Sequence, residues 1–200
     1  MKKIFIYGDS NLCGDNLLGN KIEDKFLWTN MLAEYLGSDY LVIKEGLPGR
    51  LAGSVDGEAL FKSGKDSFID IIESYIPVDY IIIALGTNDL TTECNKNAEE
   101  IYDSLMWYKE SVKKLYSERM INNNPEFIYV LPGNFDYIND ARSFYDISRE
   151  QERNKLIQLF KNNCTDKYVI LDNIDLIKSD GMHYSIKGQQ QIFDIVKVLF

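Results

Sequence analysis

Histidine, cysteine and positive charge are all scarce in this chain. Its one histidine and three cysteines, with no Cys-x-x-Cys pair, provide too few soft ligands for a structural zinc site, and no carboxylate spacing is typical of a harder metal. An odd number of widely spaced cysteines (Cys13, Cys94 and Cys164) also favours free thiols in a reducing cytoplasm over disulfides. We therefore predict no metal and no other cofactor.

The charge balance and the short apolar runs exclude two further classes. A formal net charge of -9 is unfavourable for binding nucleic acid or an anionic membrane, because both require a concentrated positive surface. No apolar run approaches the length of a membrane span, and the run Ile4 to Tyr7 is too short for the core of a signal peptide. We expect a cytoplasmic protein that acts on a neutral or cationic small molecule; the pattern predicts no particular oligomeric state.

The hydrophobic pattern predicts one α/β domain over residues 1–200. At 200 residues and 45% hydrophobic content the chain can bury a substantial core. Its β-branched apolar runs alternate with amphipathic stretches, which is typical of a parallel sheet covered by helices. The near-continuous run Tyr80 to Leu85 indicates a buried strand at the sheet centre. The five predicted strands are Lys3 to Tyr7, Tyr40 to Lys44, Tyr80 to Leu85, Phe127 to Leu131 and Tyr168 to Leu171.

Four amphipathic stretches predict helices. The third of these helices in chain order covers about Ser148 to Lys161. The fourth begins near Ser185, a favourable N-cap, and continues to the C-terminus. Two irregular stretches, Gly49 to Asp66 and Pro132 to Tyr145, are predicted loops. The apolar faces of the first two helices consist of Phe26, Leu27, Met31, Leu32 and Tyr35, and of Ile101, Leu105, Tyr108, Val112 and Leu115.

Polar residues that follow the predicted strands are the candidate functional residues, because the carboxyl ends of parallel strands border the functional crevice of an open α/β sheet. Ser10 follows a Gly-Asp turn between strand and helix, where its hydroxyl is either a nucleophile or a helix cap. Asn88 is either an amide donor or a turn residue, and Gly49 is also a common turn residue. His183, three residues after Asp180, is suited to proton transfer near neutral pH, although a lone histidine is often a surface or capping residue.

Motifs of other enzyme classes are absent from the chain. There is no Gly-x-Ser-x-Gly elbow of an α/β-hydrolase, no dinucleotide-binding Gly-x-Gly-x-x-Gly and no P-loop. Cys13 is a rival nucleophile to Ser10, but its position in the first helical turn favours a small buried residue.

Four segments in chain order resemble the signature blocks of the SGNH (GDSL) hydrolase family. The resemblance covers nearly the whole chain, and it implies a three-layer α/β/α flavodoxin-like sandwich around a five-stranded parallel sheet. The second segment is similar to the arylesterase and acyltransferase branch, except that Leu51-Ala52 replaces its usual threonines. The four segments are Gly8-Asp9-Ser10 with Gly14, Glu45-Gly46-Leu47-Pro48-Gly49-Arg50, Gly86-Thr87-Asn88-Asp89, and Asp180-x-x-His183 with Ser185 and Gly188.

The same resemblance implies a catalytic triad. Ser10 would be the nucleophile, His183 the general base and then acid, and Asp180 the carboxylate that orients the imidazole. The oxyanion hole would consist of the backbone N–H groups of Ser10 and Gly49 and the side-chain amide of Asn88. Because the chain has no other histidine, we predict that the acid limb of kcat/KM follows His183.

Two residues of the blocks are given supporting roles by the resemblance. Asp9 would organise its loop without reacting. Arg50 would either tie the second segment in place through a carboxylate or contact the substrate.

Substrate contacts are predicted from the aromatic residues near the crevice, namely Phe135, Tyr137 and Tyr184. Without a large lid or a long apolar surface stretch, the chain favours short acyl esters, including acetyl groups on a carbohydrate. Acyl transfer to another alcohol stays open as an alternative, because an acyl-enzyme reacts with any hydroxyl that reaches it. A binding module without turnover is the alternative from a different class, and the presence of all four polar site residues argues against it.

Overall fold

Five strands form one parallel sheet in the computed structural model, which describes residues 1–15, 19, 21–55, 61–137 and 144–200. The order across the sheet is β2-β1-β3-β4-β5, so β3 lies at the centre as predicted. All four pairings are parallel. The strands are β1 (Lys2–Gly8), β2 (Tyr40–Gly46), β3 (Tyr80–Ala84), β4 (Glu126–Val130) and β5 (Lys167–Val169).

Helices cover both faces of this sheet. Alternate residues of β1 enter two separate cores: Ile4 and Ile6 pack with the residues of one face, and Phe5 and Tyr7 with those of the other. Helices α3, α4 and α5 contribute to the core around Phe5, and α1, α2 and α6 to the core around Ile4. The helices are α1 (Ser10–Cys13), α2 (Trp28–Leu36), α3 (Gly64–Glu73), α4 (Ala98–Glu118), α5 (Ile147–Asn163) and α6 (Ile186–Val196).

This arrangement is the predicted three-layer α/β/α sandwich with flavodoxin-like strand order. The register aligns Gly8 of β1 with Gly46 of β2 and with Ala84 of β3. The first three strands therefore end at one level, and the loops that follow them begin side by side.

Two predictions about helices are wrong. Residues up to Asp66 were expected to form a loop, but α3 begins at Gly64 behind the N-cap Ser63, because Phe68 and Ile72 are four residues apart and both buried against the sheet. Tyr35 was expected on the apolar face of α2, but it is 60% exposed. The helix instead buries Trp28, Thr29 and Leu32.

The remaining helical predictions are confirmed to within a few residues. All five apolar residues predicted for α4 are buried. Ser185 caps α6 by accepting a hydrogen bond from the Gly188 N–H. The described parts of the second predicted loop, residues 132–137 and 144–145, contain neither helix nor strand, and 138–143 lie outside the described residues, as do 56–60 of the first. Within the described part of the chain no helix is both long enough and apolar enough to cross a membrane.

Candidate active site

Ser10 lies at the start of α1, two residues after the end of β1. Asp9 is the N-cap of this helix, since its side chain accepts a hydrogen bond from the Asn11 N–H at 2.9 Å. The capping role considered for Ser10 therefore belongs to its neighbour, and Asp9 organises the loop as expected. As the first residue of α1, Ser10 has a backbone N–H without an acceptor inside the helix.

The structure brings Ser10, His183 and Asp180 together over a sequence distance of more than 170 residues. The Nε2 atom of His183 lies 2.9 Å from the Oγ atom of Ser10, and its Nδ1 atom lies 3.0 Å from the Oδ2 atom of Asp180. An ionised carboxylate only accepts hydrogen bonds, so the proton of the neutral imidazole is on Nδ1 and the lone pair of Nε2 faces the serine hydroxyl. All three side chains are buried.

A turn after β5, which we call the base turn (residues 180–184), shapes the environment of Asp180. Its Oδ1 atom accepts hydrogen bonds from the backbone N–H groups of Met182 and His183, at 3.1 and 3.0 Å. Burial by itself would raise the pKa of Asp180, but the hydrogen bonds from His183 and Met182 outweigh it, and the pKa is lowered. The carboxylate of Asp180 is therefore ionised at neutral pH.

The loop after β2 and the loop after β3 meet beside Ser10, and we call them the block-two loop (residues 47–53) and the block-three loop (residues 86–91). Gly49 has φ +75°, a left-handed conformation that favours glycine. Asn88 donates one of its two amide hydrogens to the carbonyl of Arg50, with Nδ2 to O at 2.9 Å. The two loops are thus joined directly at Asn88 and at the residue that follows Gly49.

Arg50 is buried beneath the block-two loop and does not line the cavity described below. Its Nη1 atom donates to the carbonyls of Gly8 and Glu45 at 2.9 and 2.5 Å, and its guanidinium lies 3.9 Å above the ring of Tyr7. Among the described residues it forms no ion pair with a carboxylate, so the predicted tie is made through carbonyl groups instead. The geometry corresponds to the loop-holding alternative for Arg50, not to the substrate contact.

The block-two loop is also held by Asp89. Its two carboxylate oxygens accept the N–H groups of Ala52 and Gly53, at 2.8 and 3.3 Å. On the other side of the loop, Gly64 of α3 donates its N–H to the carbonyl of Gly53 at 3.1 Å and lies against Leu51. The loop that contains Gly49 is therefore bonded to both the block-three loop and α3.

Asp9 and Asp89 are two buried carboxylates at this edge of the sheet. Burial raises the pKa of each carboxyl to about 6. The backbone N–H groups that donate to these carboxylates lower the pKa, but by less than burial raises it. Cys13, by contrast, is half-buried, and burial together with the nearby Asp15 raises the pKa of its thiol to about 11. A thiol with so high a pKa is a poor rival to Ser10 as nucleophile.

A cavity of about 320 Å³ opens directly onto Ser10 and His183. None of the three aromatic residues predicted to contact substrate lines it: Phe135 is stacked on Tyr145, Tyr137 packs partly buried against the core, and the buried hydroxyl of Tyr184 accepts the N–H of Gly133. The walls come from other residues. They are Asp15, Pro48, Gly49, Phe61, Lys62, Asn88, Thr91, Phe144 and Met182.

Sequence reasoning also missed Asn11 and Gln189, which join α1 to the base turn and to α6. The Oδ1 atom of Asn11 accepts a hydrogen bond from the N–H of Tyr184 at 2.9 Å, and the backbone carbonyl of Asn11 accepts one from Nε2 of Gln189 at 3.0 Å. Only their polarity at buried helical positions could have indicated such a role. In the described part of the chain, no three or more His, Cys, Asp or Glu side chains are grouped as metal ligands.

Comparison with solved structures finds similar folds over the full chain. A carbohydrate acetylesterase family member from Sinorhizobium meliloti is 21% identical, with a TM-score of 0.86 and coverage of 100% of this chain and 97% of that one. The aryl esterase of M. smegmatis is 22% identical, with a TM-score of 0.79 and full coverage of both chains. The lipase/acylhydrolase of Enterococcus faecalis is 19% identical, with a TM-score of 0.68 and coverage of 100% and 95%. At these identities the likeness establishes the fold.

The family is established by sequence. No curated protein matches the chain. The model of the GDSL-like lipase/acylhydrolase family, however, matches residues 4–196, and therefore spans all four predicted blocks. The chain belongs to the GDSL-like lipase/acylhydrolase family and is a serine ester hydrolase of the SGNH type.

Proposed function

We propose that the protein is an esterase that hydrolyses short-chain, acetyl-type carboxylic esters through an acyl-enzyme on Ser10. The observation that carries this proposal is the series of close contacts from Ser10 Oγ to His183 Nε2 and from His183 Nδ1 to Asp180, at the floor of an open cavity. Both distances lie within the range in which a proton is transferred directly between heavy atoms.

In the first half-reaction, His183 Nε2 takes the hydroxyl proton of Ser10 while Oγ attacks the ester carbonyl carbon. The imidazolium that forms is stabilised by Asp180, whose other oxygen is already held by two backbone N–H groups. Collapse of the tetrahedral intermediate breaks the bond to the alcohol oxygen, which leaves with the proton from Nε2.

Charge on the carbonyl oxygen is stabilised by three donors in the proposal. These are the N–H groups of Ser10 and Gly49 and the second amide hydrogen of Asn88, since the first is bound by the Arg50 carbonyl. That bond fixes the plane of the amide before substrate arrives. Preorganisation of this kind is what makes such donors effective, because no reorientation is required as the charge develops.

In the second half-reaction, His183 Nε2 takes a proton from water while the water oxygen attacks the acyl carbon. The bond between that carbon and Ser10 Oγ then breaks, Oγ takes the proton back from Nε2, and the acid is released. An alcohol in place of water gives acyl transfer by the same steps. Acyl transfer requires an alcohol that binds at the site and excludes water from it. Whether the enzyme hydrolyses or transfers the acyl group therefore depends on the acceptor and not on the triad.

The short-acyl preference is supported by the size and walls of the cavity. A volume of about 320 Å³ is at the lower limit for small-molecule sites. Its apolar walls include Phe61, Phe144 and Met182. The names of two similar structures, a carbohydrate acetylesterase and an aryl esterase, favour acetyl esters of a sugar or a phenol.

A substrate panel with wild type beside Ser10→Ala tests the proposal. Acetylated sugars, aryl acetates and a series of p-nitrophenyl esters of increasing chain length are compared by kcat/KM. We expect acetate to be preferred to octanoate and all turnover to disappear in Ser10→Ala. A preference for octanoate would refute the short-acyl proposal, and turnover by Ser10→Ala would refute the acyl-enzyme.

Labelling by a fluorophosphonate separates catalysis from binding without turnover. We expect wild-type protein to be labelled at neutral pH and Ser10→Ala to be unlabelled. Folded wild-type protein that resists labelling would support the binding module instead.

A further inference from the structure

Two hydrogen bonds lie side by side between α1 and the base turn. The hydroxyl of Ser10 donates to His183 Nε2 at 2.9 Å, and the backbone N–H of Tyr184 donates to Asn11 Oδ1, also at 2.9 Å. Consecutive residues of one segment are therefore bonded to consecutive residues of the other. The first bond is the proposed path of the proton, and the second is a tether beside it.

The tether is buried and is fixed at both ends. Asn11 is 6% exposed, and its amide oxygen must face Tyr184 because a backbone N–H can only donate. Its carbonyl accepts Nε2 of Gln189, which is 1% exposed and whose Oε1 accepts the N–H of Trp28. These bonds attach α1 to α2 and α6 as well as to the base turn, so that Asn11 cannot move independently.

The base turn is also bonded to other segments. The N–H of Ile177 donates to the carbonyl of His183 at 2.8 Å, and the N–H of Gly181 donates to the carbonyl of Ile177 at 2.9 Å. Among the described residues, the loop after β4 contributes two: the Asp136 N–H donates to the Gly181 carbonyl at 2.9 Å, and the Gly133 N–H donates to the Tyr184 hydroxyl at 3.2 Å. In the described part of the chain, the tether from Asn11 is the one hydrogen bond between α1 and the backbone of the turn. The bonds to Ile177 and to the loop after β4 do not reach α1, so the tether is what links the backbone of the turn to the helix of the nucleophile.

We propose that Asn11 is a positioning residue that holds the base turn against α1 and so sets the distance between Ser10 Oγ and His183 Nε2. The proposal rests on the proposed function of these two residues. Asn11 does not line the cavity and is not expected to touch substrate. Its effect comes through the turn, because direct proton transfer needs a separation of about 2.6–3.2 Å and a misplacement of about 1 Å costs on the order of a hundredfold in rate.

Asn11→Leu tests the proposal, because leucine has a similar size and offers no acceptor to the Tyr184 N–H. We expect kcat for an aryl acetate to fall by about 10- to 100-fold with little change in KM. The rate of inactivation by a fluorophosphonate should fall by a similar factor, since it depends on the same activated hydroxyl. Asn11→Ser provides the second variant if the leucine variant does not fold. The serine side chain is too short to bring its oxygen to the Tyr184 N–H, and it adds no apolar group.

Two further variants separate positioning from a general loss of stability. Ile192→Val removes one methyl group from the same core and no hydrogen bond, and it should lower the melting temperature without lowering kcat. Asn11→Asp should recover most of the lost kcat, because a buried carboxyl next to Asp9 favours its protonated form, which keeps the amide's shape and its acceptor oxygen.

The single histidine provides an independent signal. We expect the downfield proton resonance of the His183 Nδ1–H to persist in Asn11→Leu, which would place the defect between Ser10 and His183 and not between His183 and Asp180. A wild-type kcat in Asn11→Leu would overturn this proposal about Asn11. The proposed function would still stand in that case if Ser10→Ala were inactive. An aspartate variant no more active than the leucine variant, or loss of the Nδ1–H signal, would also overturn the proposal about Asn11.

Discussion

Asp180 and Asp89 are buried carboxylates at the same edge of the sheet, and their surroundings have opposite effects on them. Asp180, in the base turn, is bonded to an imidazole as well as to two backbone N–H groups, and its pKa is lowered. Asp89, in the block-three loop, accepts two N–H groups from the block-two loop, no described residue donates a side-chain hydrogen bond to it, and burial raises its pKa to about 6. Burial acts to raise the pKa of both carboxylates, but only at Asp180 do the hydrogen bonds, that of the His183 side chain first among them, outweigh it.

The difference separates two tasks of a buried acid in one site. A carboxylate that stabilises a transient cation must be ionised at the pH of the reaction, and its hydrogen bonds with His183 achieve this for Asp180. A carboxylate that holds a loop can be close to titration, since its neutral form still accepts one hydrogen bond. The predictions below test this division.

The largest effect is expected from His183→Ala, which removes the partner that distinguishes Asp180 from Asp89. The variant has no base for Ser10 and no acid for the leaving alcohol, so kcat should fall by on the order of 10⁴- to 10⁶-fold. Steady-state kinetics with an aryl acetate measures the loss. Near-normal turnover would contradict the proposed mechanism.

Asp180→Asn should come next. An asparagine can keep the two backbone N–H bonds through its oxygen, but its amide N–H group would face Nδ1 and favour the imidazole tautomer with its proton on Nε2. The kcat should decrease by on the order of 10⁴-fold, as the same exchange does in a Ser-His-Asp protease. A circular dichroism spectrum like that of wild type serves as the control for folding, and a tenfold loss or less would show that the carboxylate is not needed.

Asn88→Ala removes the side-chain donor next to Asp89 and leaves the carboxylate itself in place. We expect kcat to fall by about 10²- to 10³-fold, the usual cost of one oxyanion donor. KM should change less than kcat, because the donor acts on charge that develops after binding. An equal loss of kcat with Phe61→Leu, at a cavity residue without a proposed catalytic role, would show that the effect comes from the shape of the cavity.

The smallest effect is expected on stability, with Asp89→Asn. The pKa of Asp89 is about 6 in the folded protein and near 3.8 in the unfolded chain, so between these values the folded state binds more protons. The free energy of unfolding due to this group therefore rises as the pH falls through that window, whereas the contribution of Asp180, with its lowered pKa, is lost on acidification. Relative to wild type, Asp89→Asn should gain on the order of 1 kcal/mol between pH 5 and pH 8.

Urea unfolding at the two pH values measures this change. Asp103→Asn, at an exposed position of α4, is the matched control and should show no such gain. If the difference in the free energy of unfolding between Asp89→Asn and wild type did not change with pH, the Asp89 carboxylate would have the same pKa in the folded and the unfolded state.

The acid limb of the activity profile illustrates what sequence could and could not predict. From sequence, His183 was the one group expected to govern it, because no other histidine is present. The structure adds Asp9 and Asp89, both with a pKa of about 6. A carboxylate acquires such a pKa from tertiary burial, which has no signature in the residues next to it in sequence.

The strands and the polar residues after them were predictable because each depends on local pattern. A strand such as β3 is visible as an apolar run, and a parallel sheet collects the ends of its strands whatever the loops do. Phe61 and Phe144 line the cavity but were not named individually from the sequence, whereas Phe135, which was named, does not line it. Which aromatic residue of a loop turns inward depends on contacts such as the bond from the Thr92 N–H to the Phe144 carbonyl.

Helix α3 was missed for a related reason. Gly64 at its start is typical of a turn, and the preceding stretch contains three more glycines, Gly49, Gly53 and Gly57. The glycine is needed for space, since a β-carbon there would lie 2.1 Å from the Leu51 carbonyl oxygen and 2.4 Å from the Tyr108 hydroxyl.

That close approach has a consequence for how the gene can vary. In a saturation library scored for activity, position 64 should tolerate no replacement, although it lies on a helix outside the cavity and contributes no side chain to any step. The intolerant positions would then include a residue whose side chain matters only because it has no β-carbon. Related sequences should keep glycine there for as long as the block-two loop crosses α3 at this point.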